Sequence, residues 1–139
     1  MFLRALREGI IVPEKSVQVG IRSLSDEDYG FTVLDSPWVH EHGTNNTVAR
    51  IKEVIGDSPT YLTFDIDCLD PAFAPGTGTP VAGGLTSMQA LTIIRQLGGL
   101  SFIGMDLVEV APAYDHAEIT AIAAATIVHD FIALQAKAL

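Results

Sequence analysis

The stretch that decides the fold reads Leu62-Thr63-Phe64-Asp65-Ile66-Asp67-Cys68-Leu69-Asp70-Pro71, continuing through Pro75-Gly76-Thr77-Gly78-Thr79-Pro80 to Gly83-Gly84. Thr60 to Ile66 is a short apolar run between turn signals, the pattern of a strand buried in a parallel sheet. It runs directly into Asp65-Ile66-Asp67. Residues i and i+2 of a strand share a face, so the strand predicts two carboxylates aimed one way at its C-terminal end. In open α/β sheets, ligands bind beyond those ends. Two like charges this close resist joint ionisation unless a cation neutralises them. Carboxylate oxygens suit hard ions such as Mg²⁺ or Mn²⁺. The plainer alternative is that both aspartates cap a turn, a common use of Asp.

Strand-like and helix-like runs alternate on either side. Ser16 to Ile21 and Phe31 to Leu34 read as short strands. Thr44 to Gly56 reads as a helix, with Val48, Ile51, Val54 and Ile55 at helical spacing and Thr44 or Asn45 as its cap. Asp67 to Leu85 reads as a loop rich in Pro and Gly. Thr86 and Gln89 have the spacing of a capping box, opening a helix that Gly98 and Gly99 stop. Leu100 to Val108 is a second buried strand, and Ala117 to Ala138 a long Ala-rich helix. This order predicts an α/β fold, a three-layer α/β/α arrangement around a mostly parallel sheet, in a single domain over residues 1–139. So few strands imply a small sheet, or one completed by another chain or by a missing half.

The composition is globular: 48% of the 139 residues are hydrophobic and 18% charged. A net charge of −9 argues against nucleic acid or an anionic membrane as partner. A single cysteine, Cys68, excludes an internal disulfide and fits a reducing, cytoplasmic setting. No uninterrupted apolar run is long enough for a membrane span; the C-terminal stretch comes closest but carries Asp115, His116, Glu118, His129 and Asp130.

The D-x-D-x-x-D-P…P-G-x-G-x-P…G-G pattern, met here from Asp65 to Gly84, resembles the signature of the ureohydrolases, the family of arginase, agmatinase, formimidoylglutamase and guanidinobutyrase. The wording DIDCLDPAFAPGTGTP and, downstream, GMDLVEVAPAYDHAEITAIAAATI is most similar to the agmatinase branch, and SVQVGIRS and YGFTVLD extend the similarity over essentially the whole chain. The resemblance implies the C-terminal part of the ureohydrolase fold and a site for two Mn²⁺ ions. Asp65 resembles the aspartate that bridges the two ions, and Asp67 one that binds a single ion. Glu109 resembles the glutamate that pairs with the substrate guanidinium, and Thr79 a loop threonine near metal and substrate. The implied reaction is hydrolysis of agmatine to putrescine and urea, by metal-activated hydroxide attacking the guanidinium carbon. The implied partner is a small cationic guanidino compound, and the implied assembly a homo-oligomer.

Read without the resemblance, Glu109 also falls at the C-terminal end of a predicted strand, where a carboxylate suits a planar guanidinium. Asp70, before Pro71, is most simply a turn residue. Asp106, three positions before Glu109, points to the other face and reads as a buried structural carboxylate. The family's further metal ligands, one histidine and an Asp-x-His-x-Asp motif from its N-terminal half, have no counterpart here. His40-Glu41-His42 reads as an exposed loop, and His116 and His129, on or beside the last helix, as surface or satisfied core positions. The expectation is therefore a partial metal site, with little or no hydrolysis by this chain alone, either as a non-catalytic fragment or as a partner of another ureohydrolase chain. A phosphatase of the haloacid dehalogenase type also begins with a strand into Asp-x-Asp. It expects a later lysine and an acidic pair, whereas the only downstream lysine is Lys137. The Gly-rich loop lacks the lysine and spacing of a phosphate-binding loop.

Overall fold

A computed structural model describes residues 2–23 and 28–136. Lys137 and the end of the last predicted helix lie outside them. The elements run α1 (Phe2–Arg7), β1 (Val17–Val19), β2 (Thr32–Leu34), α2 (Ser36–Ile55), β3 (Thr60–Asp65), α3 (Ser87–Gln96), β4 (Phe102–Val108) and α4 (Ile119–Ala136).

All described strand pairing is parallel; a helix, α3, connects β3 to β4, whereas β1 and β2 follow one another with no helix among the described residues between them. The pairing is divided into two pairs, β1 with β2 and β3 with β4. The β3–β4 register sets Thr63 beside Asp106 and Asp65 beside Val108. One face of this pair is apolar: Leu62, Phe64, Met105 and Leu107 join a core that includes Ile66, Leu69, Leu85, Ile93 and Ile127. The other face is open, with Tyr61 55% exposed and Thr63, Asp65 and Val108 also exposed. Asp106 lies half-buried on that open face. It accepts hydrogen bonds from Thr63 Oγ1 (2.6 Å) and Tyr61 Oη (3.2 Å), so it is a structural carboxylate but not a buried one.

Helix α2 begins earlier than its sequence suggests. Asp35 caps it, its carboxylate accepting from Trp38 N at 2.8 Å, and Pro37 falls in the first turn, where a missing N–H costs nothing. Gly43, at φ +79°, breaks the helical path, and the segment beyond it is the one read from Thr44. His40, Glu41 and His42 are therefore helical and not in a loop, although exposed as expected. Helix α3 opens on the predicted capping box: Thr86 Oγ1 accepts from Gln89 N (3.1 Å), and Gln89 Oε1 accepts from Thr86 N (2.9 Å).

Helix α4 starts at Ile119 rather than Ala117, because Ala117 and Glu118 take left-handed φ values of 53° and 59°. Asp115 caps it instead, accepting from the amides of Thr120 and Ala121 at 2.9 Å each. With 18 residues and a mean hydropathy of 1.6, α4 does reach the length and apolarity of a membrane span, despite its punctuating charges. Its buried stripe of Thr120, Ala124, Ile127 and Phe131 packs against the domain, Phe131 edge-on to Phe102 of β4, and Asp130 pairs with Arg95 of α3 at 2.7 Å.

Candidate functional site

Strand β3 ends at Asp65, one residue sooner than a shared strand face for both aspartates would need. Residues Ile66–Cys68 form a 3-10 turn, and Asp65 caps it by accepting from the amide of Asp67 at 3.1 Å. The turn is pinned by Ile66, fully buried between the two aspartates, and by Leu69, 1% exposed. Asp65 and Asp67 are thus neighbours, brought together by the turn and not by the pleat of a strand. The capping alternative is realised at Asp65 as well, in the same geometry that gathers the two carboxylates.

The electrostatics record the crowding. Burial raises the Asp65 carboxyl above its ordinary value. The Asp67 amide offsets part of this, and the carboxylates of Asp67 and Glu109 push it up further. Burial likewise pushes the Cys68 thiol up to about 12, with Asp65 and Asp67 adding to it. Asp65 therefore lies within electrostatic reach of both Asp67 and Glu109 at the C-terminal ends of β3 and β4.

The loop after the turn is folded back onto it. Asp70 accepts from the amides of Ala72 (2.9 Å), Gly83 (2.8 Å) and Gly84 (3.3 Å), so it closes the whole excursion and not merely a local turn. Leu69 and Leu85 form a parallel bridge, with Asp70 N donating to Leu85 O and Leu85 N to Cys68 O. Gly84 is buried against Leu69 and Asp70, and a Cβ there would overlap their backbone. His40 Nε2 lies 3.0 Å from Gly84 O, and Ser36 Oγ donates to Gly83 O, so α2 holds the same corner.

The middle of the loop lies against the segment after β4. Thr77 bridges Val110, Ala111 N donates to Gly76 O (2.8 Å), and Gly76 N donates to Thr120 Oγ1 (2.7 Å). This carries Thr79 to Asp67, where its Oγ1 donates to Oδ2 at 3.0 Å. It also brings Gly78 beside Glu109, whose Oε2 is 4.0 Å from where a Gly78 Cβ would stand. Glu109, the first residue past β4, is exposed and holds a left-handed φ of 66°, an uncommon conformation for a residue with a side chain. A shallow hollow of about 490 Å³ opens alongside, lined by Pro75, Thr77, Gly78, Pro80, Tyr114 and His116 among others.

All four residues singled out from the sequence, Asp65, Asp67, Thr79 and Glu109, thus belong to one end of the β3–β4 pair. Among the described residues no three His, Cys, Asp or Glu side chains stand close enough together to hold a metal ion. The histidines add none: His42 stacks on Trp38 at 4.3 Å, and His129 leans on Asp130. One contributor escaped the sequence reading. Arg22, just past β1, donates from Nη1 to Cys68 O (3.2 Å) and Gly20 O (2.9 Å), and from Nη2 to Asp67 O. Its acceptors in the turn lie 45 and 46 residues along the chain, and no local pattern announces such a contact.

The family model for the arginase family matches residues 1–133. The chain belongs to the arginase family. An agmatinase from Chromobacterium violaceum is 63% identical over 134 residues, which cover 96% of this chain and 42% of that protein. A crystal structure of a hypothetical agmatinase from Burkholderia thailandensis superposes with a TM-score of 0.96 at 61% identity, over 99% of this chain and 44% of that one. Proclavaminate amidino hydrolase from Streptomyces clavuligerus gives 0.95 at 41% identity, over 99% and 48%. This arginase-family chain thus spans less than half the length of the relatives it matches, and its α/β fold is theirs over nearly all its residues.

Proposed function

We propose that the chain supplies the aspartate pair and the guanidinium-binding carboxylate of an agmatinase-like ureohydrolase, which hydrolyses agmatine to putrescine and urea. The observation that carries this reading is the convergence of Asp65, Asp67, Thr79 and Glu109 at one end of the β3–β4 pair. Asp65 and Asp67 would hold Mn²⁺. The donor chemistry fits: hard oxygen ligands suit the ion, and the Asp65 carboxyl, raised first by burial and further by the charges of Asp67 and Glu109, is a group whose charged form a cation would stabilise. When bound, the metal supplies a water acidic enough to serve as nucleophile at neutral pH.

The protein's own groups do the rest. Thr79 fixes the Asp67 carboxylate by donating to one oxygen. Glu109, held outward at the strand end, is placed to take two parallel N–H groups of a planar guanidinium, a charge-assisted and orienting contact. The adjoining shallow hollow reaches this corner through Gly78, the neighbour of Thr79. Two aspartates alone leave most of any coordination sphere to water, so the 139-residue chain by itself is expected to release little or no urea. A different guanidino substrate is the second reading, favoured by the 0.95 TM-score to proclavaminate amidino hydrolase.

The test is a chimera in which the N-terminal part of the Chromobacterium violaceum agmatinase precedes these 139 residues. It should release urea from agmatine with Mn²⁺, and Asp65→Ala or Asp67→Ala should abolish this. A folded chimera that is inactive on agmatine yet cleaves another guanidino compound would reassign the substrate. Brisk agmatine turnover by the isolated chain would overturn the partial-site reading.

A further inference from the structure

We propose that Arg22 is a positioning residue for the aspartate site: it braces, from the backbone side, the turn that presents Asp65 and Asp67. The proposal deepens the metal reading above, and its consequence for cation uptake rests on that reading.

A 3-10 turn of three residues leaves its last carbonyls without partners inside the turn. Here Ile66 O accepts from Leu69 N and Cys68 O from Leu85 N, and the carbonyls of Asp67 and Cys68 both lie within reach of Arg22. Arg22 takes both. Its half-buried guanidinium donates from Nη1 to Cys68 O at 3.2 Å and from Nη2 to Asp67 O, and Nη1 also reaches Gly20 O at 2.9 Å. The planar fork of a guanidinium presents these N–H groups at fixed angles, which a lysine ammonium on a flexible stem cannot do. One side chain therefore ties the end of β1 to the turn after β3, two elements that belong to separate strand pairs.

The choice of acceptors is the informative part. A guanidinium this close to two aspartates would ordinarily seek a carboxylate, the stronger partner. Among the described residues Arg22 forms no ion pair with Asp65 or Asp67; its hydrogen bonds go to main-chain oxygens. The cation thus orders the backbone beneath the carboxylates while claiming none of their oxygens. Thr79 fixes Asp67 from the side-chain end, and Arg22 fixes the same residue from the carbonyl end.

The test uses the 139-residue chain with Arg22→Lys and Arg22→Met, read in three ways: amide hydrogen exchange by residue, uptake of Mn²⁺ alone followed by the electron paramagnetic resonance of the free ion, and the thermal midpoint. Arg22→Met should accelerate exchange at the Asp67 and Leu69 amides by roughly tenfold, the scale of one to two lost hydrogen bonds, with the β4 amides unchanged. It should weaken Mn²⁺ uptake by a similar factor, and Arg22→Lys should fall between it and wild type. Acceleration spread evenly over the chain would overturn the proposal, because Arg22 would then be a general stabiliser. Faster exchange at the turn with unaltered Mn²⁺ uptake would also overturn it. Wild-type chain that takes up no Mn²⁺ while its turn still depends on Arg22 would leave the bracing intact and remove the metal reading instead. If Arg22→Met does not fold, Arg22→Lys carries the comparison, and unchanged exchange at Asp67 and Leu69 in that variant overturns the proposal.

Discussion

Two adjacent glycines, Gly83 and Gly84, should respond to the same substitution for different reasons and by different amounts. Gly83 is exposed, has φ +83°, and would meet nothing within 4 Å if a Cβ were added. Gly83→Ala therefore carries only the strain of a left-handed residue, about 1 kcal/mol. Gly84 is buried and has an ordinary φ, so conformation is not its problem. Its Cβ would stand 2.8 Å from Asp70 Cα and closer still to Asp70 N and the Leu69 carbonyl carbon. These are main-chain atoms, so no side-chain rotation relieves the overlap. Ordinary contact begins at 3.4 Å, so the two backbones must part by about 0.6 Å at the Cα, and by more elsewhere.

That movement opens the bonds from Asp70 N to Leu85 O (2.9 Å) and from Leu85 N to Cys68 O (3.0 Å). Overpacking costs about 1–3 kcal/mol, and each of the two lost bonds about 1 kcal/mol, so Gly84→Ala should cost about 3–5 kcal/mol. With a urea dependence of about 2 kcal/mol per molar, the unfolding midpoint should fall by about 1.5–2.5 M for Gly84→Ala and about 0.5 M for Gly83→Ala. Urea unfolding followed by circular dichroism measures both. Equal losses, or a larger loss at Gly83, would refute the tight closure of the loop on the aspartate turn.

Other outcomes follow from the same contacts. Thr86→Ala removes one arm of the capping box of α3 and should cost about 1 kcal/mol, read as a lower midpoint with unchanged slope. Leu69→Ala empties a site 1% exposed directly behind the aspartate turn and should cost about 2–5 kcal/mol in the same assay. Asp70 is held below its ordinary 3.8, first by the amides of Ala72 and Gly83, against burial, with Gly84 and Arg22 adding to the effect. A depressed folded value means its stabilisation is complete above 3.8 and is lost as pH falls through the lower folded value. Asp70→Asn should therefore show a shallower decline of stability in acid than wild type, measured by thermal midpoints from pH 5 downward.

Much of this architecture was legible because its signals are local. The capping box at Thr86 and Gln89, the apolar run of β3 and the Pro/Gly loop each declare themselves within a few residues. Where the reading slipped, tertiary geometry outweighed a local rule. Pro37 and Gly43 look like helix breakers. One sits in the first turn, where proline is harmless, and the other makes a kink, so α2 is longer than its pattern. Asp115 caps α4 from a distance while Ala117 and Glu118 turn left-handed, so that helix starts late. Asp65 and Asp67 are neighbours through a 3-10 turn and not through a strand pleat. The division of the strands into two pairs, the open face bearing Asp106, and the reach of Arg22 to the turn are contacts across long stretches of chain. Periodicity describes which face of an element is apolar and is silent about what lies opposite.

The central claim is that Asp65 and Asp67 form a cation-binding pair. Mn²⁺ titrated into the metal-free 139-residue chain at pH 7, with the free ion followed by electron paramagnetic resonance, tests it most directly. Wild type should show saturable uptake, Asp65→Ala and Asp67→Ala a marked loss, and Asp106→Ala, on the open face, no change. Equal uptake by wild type and Asp65→Ala would contradict the claim.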